Sequence, residues 1–312
     1  MNILKTIIIN IVISIIYIFV QSIWNSESFA DDHENQIKQH ITTTANNFED
    51  IAGLETIKRD LNASIIIPLK YPHLFFNEIL TPCKGLLFYG PPGTGKTTFA
   101  RAIATESKVP FLLITLSAIE NKLFGESSKL ISGTFRLAKK MQPVIICFEE
   151  IDGFMKKRSE FDQNCNYGLK TELLINLDTI LQDDMSSVVV VGCTNVIEQL
   201  DDALKRRLSK HIKMPYPSNE DIKKIIKLYA PHLESNIISN IVSQLTSNIT
   251  GSNIKEIIKQ VKSLHVQRSI ECTLFQDLLD DENATSLDIK EAIGDFTSDD
   301  LVHAFKRNGF IK

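Results

Sequence analysis

Eight residues constrain this chain more than any others: Gly90-Pro91-Pro92-Gly93-Thr94-Gly95-Lys96-Thr97, which fit G-x-x-x-x-G-K-[ST]. An apolar run, Leu86 to Tyr89, precedes them, and a helical pattern from Thr97 to Thr105 follows. A buried strand that turns into a helix through such a loop is the context a phosphate-binding loop requires. Its glycines let backbone amides curl around phosphate oxygens, aided by the helix N-terminus. Lys96 neutralises β- and γ-phosphate charge, Thr97 reaches Mg²⁺, and Thr98 lies beside them, so ATP and Mg²⁺ are the expected cofactors. The plainer reading is a Gly/Pro turn with an incidental lysine.

The rest of the chain reads as an α/β architecture around that loop. Further short apolar runs at Phe111 to Ile114, Val144 to Phe148 and Val188 to Gly192 look like buried parallel strands, and a final short strand is expected over His211 to Met214. Helical patterns between them, such as Leu130 to Lys140, suit right-handed βαβ crossovers. After Pro215-Tyr216-Pro217 the strand pattern stops. A helix opens at Ser218 with Asp221 placed for a capping box, and Ile222, Ile225, Ile226 and Tyr229 share its face. Another begins near Ser252 or Asn253, with Ile254, Ile257, Ile258, Val261 and Leu264 at helical spacing. The expected division is an N-terminal segment (1–30), a polar linker (31–47), a large α/β unit with a five-stranded parallel sheet flanked by helices (48–217), and a small helical unit (218–312).

A phosphate site that hydrolyses needs carboxylates. Val144-Ile145-Ile146-Cys147-Phe148-Glu149-Glu150 ends a buried strand on two of them: Glu149 to reach the Mg²⁺ shell, Glu150 to polarise water. The alternative is a strand ending in solvated charges. Thr194-Asn195 ends the next strand with a side-chain amide that suits water or γ-phosphate, or merely caps a turn. Arg206 and Arg207 follow Asp201-Asp202, and beside a P-loop they become candidate arginine fingers; otherwise they are a solvated helix face.

Thr6 to Ser26 carries no charge and is dominated by Ile, Val, Phe and Tyr. About twenty such residues cross a ~30 Å hydrocarbon layer, with Tyr17 and Trp24 suited to the interfaces. The competing reading is a cleaved secretory signal, with Ser28-Phe29-Ala30 as its cleavage site. Segment length favours the anchor, as does the need for ATP. The flanking charges, Lys5 before and Asp31, Asp32 and Glu34 after, run against the positive-inside rule for an ATPase kept on the ATP side.

Composition closes other routes. The formal net charge of −4 gives little support to capture of nucleic acid. The five cysteines lie far apart with no CxxC, against a zinc site or disulfide framework, and Cys147 and Cys193 read as core. His33-Glu34-Asn35-Gln36-Ile37 begins like a zinc-protease motif but lacks the second histidine.

The order of motifs resembles the AAA ATPases from about Phe48 to the C-terminus. The resemblance is carried by Phe48-Glu49-Asp50-Ile51-Ala52-Gly53-Leu54, Pro68-Leu69-Lys70-Tyr71-Pro72, the P-loop, Gly125-Glu126-Ser127-Ser128-Lys129-Leu130, Leu137-Ala138-Lys139-Lys140-Met141-Gln142-Pro143 and Arg206-Arg207. Within that family the chain looks most like the membrane-anchored outer-mitochondrial protein extractases, with katanin- and spastin-type severing enzymes further off. The resemblance implies a P-loop AAA domain with a helical lid, a homo-hexamer, an adenine pocket touching Ile51 and Gly53, Asn195 as a sensor, and a central pore. Lys122-Leu123-Phe124-Gly125 matches the first pore loop, Phe124 being the aromatic that grips polypeptide and, by physics alone, equally a core residue; Arg158-Ser159-Glu160-Phe161 stands where a second loop belongs. Two departures stand out: Glu149 replaces the usual Asp, and Leu123 an aromatic.

The expected activity is therefore ATP-driven extraction of membrane or mislocalised proteins by threading through a pore, at a membrane that is the mitochondrial outer one if the source is eukaryotic. The alternatives are a membrane-tethered, ATP-binding scaffold with little turnover, which Glu149 favours, and a microtubule-severing ATPase, which the short acidic linker disfavours.

Overall fold

Four of the apolar runs form strands buried on both faces of one sheet, while the last strand, at the edge, buries only Ile212. The computed structural model describes residues 41–42, 47–72, 82–115, 126–153, 155, 167–246, 248–270 and 294–311. The N-terminal segment, most of the linker and both pore-loop candidates, including Lys122, Leu123, Phe124 and Gly125, lie outside the described residues. Five parallel strands, β2 (Gly85–Tyr89), β3 (Phe111–Ile114), β4 (Val144–Phe148), β5 (Val188–Thr194) and β6 (Lys210–Lys213), match the expected five. A two-residue strand, β1 (Ile41–Thr42), joins them antiparallel along the edge of β3. The order is β1-β3-β4-β5-β2-β6, so the sheet has six strands and part of the segment read as linker belongs to it.

Side chains alternate between faces as a pleated strand demands. Leu87, Ile146, Phe148, Val188 and Val190 enter a core on one face with α4 (Glu126–Met141), α5 (Tyr167–Leu181) and α6 (Asp202–Arg207). Leu86, Phe88, Ile145, Cys147, Val191 and Cys193 enter the other, packed by α3 (Lys96–Ser107) and by α1 (Glu55–Leu61), which runs through a π-helical stretch (Asn62–Ile66) into α2 (Ile67–Lys70). Cys147 and Cys193 are free thiols with sulfurs 3.9 Å apart, and their mutual hydrogen bond and burial push the Cys147 thiol up. In register, Tyr89 lies beside Thr194, and Phe148 beside Gly192. The P-loop, Glu149-Glu150 and Asn195 thus leave the sheet at the same carboxyl edge, where open α/β sheets bind ligands.

The helical unit comprises α7 (Asn219–Tyr229), α8 (Ser235–Ser243), α9 (Gly251–Ile270) and α10 (Ser298–Arg307). The Ser218 hydroxyl accepts from the Asp221 amide, and the Asp221 carboxylate accepts from the Ser218 amide, completing the expected box. Ile222, Ile226, Ile254, Ile257, Ile258 and Val261 fill a core of their own with Leu301 and Phe305 of α10, while Ile225 and Tyr229 are partly buried against it. Leu264, expected on the same apolar stripe, is exposed, although α9 still reaches α10 beyond it through Arg268 and Asp300.

Candidate active site

At the end of β2 the chain enters the loop, and α3 starts at Lys96 with its first backbone bond from the Phe99 amide to the Gly95 carbonyl. The amides at the start of α3 have no partner within the helix and are directed at whatever the loop encloses. The Lys96 ammonium is 9% exposed and donates to the Gly90 and Pro91 carbonyls at 2.8 Å each. Burial lowers its pKa from the usual lysine range, opposed by the neighbouring Cys193, Asp152 and Glu149 side chains. Carbonyls are weak partners for a buried cation, and polyphosphate oxygens are much stronger ones. The Thr94 hydroxyl donates to the Pro91 carbonyl at 2.9 Å, closing the turn.

Thr97, one residue on, donates its hydroxyl to Glu149 Oε1 at 2.6 Å, and the Glu149 amide is tied to the Ile114 carbonyl at 2.9 Å. The extra methylene of Glu149 leaves that contact in place. Mg²⁺ takes oxygen ligands, keeps several waters, and is bound by one or two protein oxygens together with substrate phosphates. The Thr97 and Glu149 oxygens fit such an ion. Among the described residues no group of three His, Cys, Asp or Glu side chains assembles a metal site independent of nucleotide. Glu150 is exposed with φ 51°, a left-handed conformation that costs a non-glycine residue about 1–3 kcal/mol and is characteristic of functional turns. Asn195 stands exposed past β5, whose final Thr194 hydroxyl accepts from the Val196 amide at 3.0 Å.

The arginines differ. Arg207 forms a bidentate pair with Asp178 of α5, Nε to Oδ1 at 2.7 Å and Nη2 to Oδ2 at 2.6 Å, and its Nη1 donates to the Ala203 carbonyl at 3.0 Å. The pair holds the Asp178 carboxyl below the usual carboxylate range and raises the Arg207 guanidinium. Arg206 is exposed and has no partner among the described residues.

Ile51 and Gly53 line an open cleft of about 920 Å³ between the segment before α1 and Lys224, Lys227 and Leu228 of α7. That segment is pinned by Lys58, whose ammonium donates to the Ile51 carbonyl at 2.6 Å, and by the Phe48 amide, which donates to Glu106 at 3.1 Å.

Sequence reasoning missed the seam between the two units. The Ser252 amide at the start of α9 donates to the Gly93 carbonyl at 3.2 Å. Gly93 has φ 76°, and a Cβ there would come within 2.8 Å of the Thr250 hydroxyl, so glycine is what lets the helical unit rest on the P-loop. The signal was present: Thr250 and Asn253 form a cap, with the Asn253 amide donating to the Thr250 hydroxyl at 3.3 Å, which sets α9 to begin beside the loop. Asp178 was missed as well, since nothing in its spacing marks it as a partner of Arg207.

Residues 86–216 match the family described as ATPase family associated with various cellular activities (AAA). The Outer mitochondrial transmembrane helix translocase of Homo sapiens is 34% identical over 257 residues, covering 80% of this chain and 71% of that protein. Fidgetin-like protein 1 of Drosophila melanogaster is 38% identical over 190 residues, 61% of this chain and 36% of that protein. A crystal structure of the FIGL-1 AAA domain in complex with ADP superimposes with a TM-score of 0.69 at 26% identity, covering 92% of this chain and 99% of that one. With its P-loop, its strand-end carboxylates and a relative matched along most of both chains, the protein belongs to the AAA family of ATPases.

Proposed function

We propose that this ATPase is a membrane-anchored, hexameric protein translocase that withdraws mislocalised or membrane-inserted proteins by threading them through a central pore, at the mitochondrial outer membrane. The observation that carries the proposal is the division of the site. Lys96, Thr97, Glu149 and Glu150 gather at one edge of the sheet, whereas Arg206 is exposed on α6 with no partner among the described residues. A finger that reaches a neighbouring copy's γ-phosphate makes turnover depend on assembly, and a ring is the closed form of such head-to-tail contacts. ATP would bind the P-loop amides and Lys96, with Ile51 and Gly53 toward the base and Thr250 to Ser252 closing over it as a lid. Mg²⁺ would be held by Thr97 and Glu149. When bound it neutralises phosphate charge; Glu150 orients the attacking water, and Asn195 positions that water or the γ-phosphate.

The relative's name, a transmembrane helix translocase, supports the substrate class. Among the described residues no helix is long and apolar enough to cross a membrane, and the proposed anchor, Thr6 to Ser26, precedes them.

The test is extraction. The full chain in liposomes should release a single-span tail-anchored protein in an ATP-dependent manner, and Phe124→Ala should abolish release while sparing ATP hydrolysis. ATP hydrolysis without release from any such liposome would overturn the translocase reading. The scaffold alternative rests on Glu149, and the intact Thr97 contact weighs against it.

A further inference from the structure

Two thiols beneath the site, Cys147 and Cys193, take no part in the chemistry proposed above. They stand on neighbouring parallel strands: Cys147 of β4 is level with Val191 of β5, so Cys193 lies diagonally across, two residues further along. Both side chains enter the core that α3 covers, and their sulfurs meet at 3.9 Å, one thiol donating to the other. A single cysteine in a core is a small apolar filler. Here two face each other from different strands, and each precedes a residue of the site by two positions, Cys147 before Glu149 and Cys193 before Asn195.

A disulfide requires sulfurs about 2 Å apart, so bonding this pair draws them together by about 2 Å. Side-chain rotation within a filled core absorbs only part of that movement, and the strand ends take up the rest. We infer that Cys147 and Cys193 form a reversible disulfide that switches off ATP turnover by displacing Glu149 and Asn195 relative to each other. The oxidant is a hydroperoxide. Cys193 keeps 2% of its surface and Cys147 none, so Cys193 reacts first, and it does so when the strand ends open locally. Its sulfur attacks one oxygen of hydrogen peroxide, the O–O bond breaks, and the thiol proton leaves on the other oxygen as water, giving a sulfenic acid. The Cys147 sulfur then displaces hydroxide from the sulfenic sulfur; the S–S bond forms, the S–O bond breaks, and hydroxide leaves with the Cys147 proton as a second water. The two thiols give up two electrons and two protons, and the peroxide is reduced to water.

This inference rests on the roles given to Glu149 and Asn195 in turnover, and the experiment separates the two. The full chain carrying Cys83→Ser, Cys165→Ser and Cys272→Ser keeps only the pair. Hydrogen peroxide should give a product lighter by two hydrogens, with the Cys147 and Cys193 peptides joined in a non-reducing digest. Phosphate release should fall about 10²-fold, the scale of a misplacement of an ångström, and dithiothreitol should restore both mass and turnover. Wild type, mapped in the same way, gives the same reading if that background does not fold. Cys193→Ala and Cys147→Val in the same background should keep their turnover under peroxide, and either serves if the other is unstable. A disulfide that forms without loss of turnover overturns the inference, as do thiols that survive the peroxide, or a loss of turnover that both variants share. Reduced protein that hydrolyses no ATP overturns the reading of Glu149 and Asn195 instead.

Discussion

At the phosphate-binding edge the residues are held in advance: Lys96 is buried against two carbonyls, Thr97 is bonded to Glu149, and the Ser252 amide rests on Gly93. On α6, Arg206 is exposed with no partner among the described residues, while the adjacent Arg207 is clamped by Asp178. In the proposed mechanism the first region binds nucleotide and the second acts on a neighbouring copy, so that a chain alone lacks half of its hydrolytic site.

The strongest way to break that comparison is Arg206→Ala. Turnover should fall about 10³-fold with ADP affinity unchanged, the scale of removing an arginine finger, measured by phosphate release and ADP titration. Lys96→Ala acts on the other half and should lose nucleotide binding itself, with turnover down about 10²-fold or more. Asp178→Asn sharpens the contrast between the arginines: releasing Arg207 should cost about tenfold in turnover through misplacement, with ADP affinity retained. Its effect on melting temperature should be small, since both partners are partly exposed. Asp178 has its folded pKa below the unfolded value, so its contribution is present above the unfolded pKa and is lost as pH falls through the folded one. The Asp178→Asn difference in melting temperature should therefore be constant from neutral pH down to the carboxylate range, and vanish only in acid. Smallest in its effect on chemistry is Gly53→Ala. With φ 77° and Asp221 of the helical unit against it, an added Cβ should cost about 1–3 kcal/mol in stability by thermal melts, leaving the arginine end untouched.

What could be read from the sequence was what is local. The P-loop announces itself by spacing, the parallel strands by apolar runs, and the Ser218–Asp221 cap by a three-residue offset. Contacts between distant segments were not legible. Asp178 and Arg207 are 29 residues apart, and Ser252 meets Gly93 from another structural unit. Ile41–Thr42 is too short to show a strand period, so an edge strand passed for linker.

The central claim is that the hydrolytic site is shared between copies, and mixing two disabled chains tests it most directly. Lys96→Ala and Arg206→Ala, each inactive alone, should regain ATP turnover when combined, because the finger of the first can serve the P-loop of the second; wild-type turnover per chain should also rise with concentration. A mixture as inactive as its components, with wild-type turnover per chain independent of concentration, would contradict the claim.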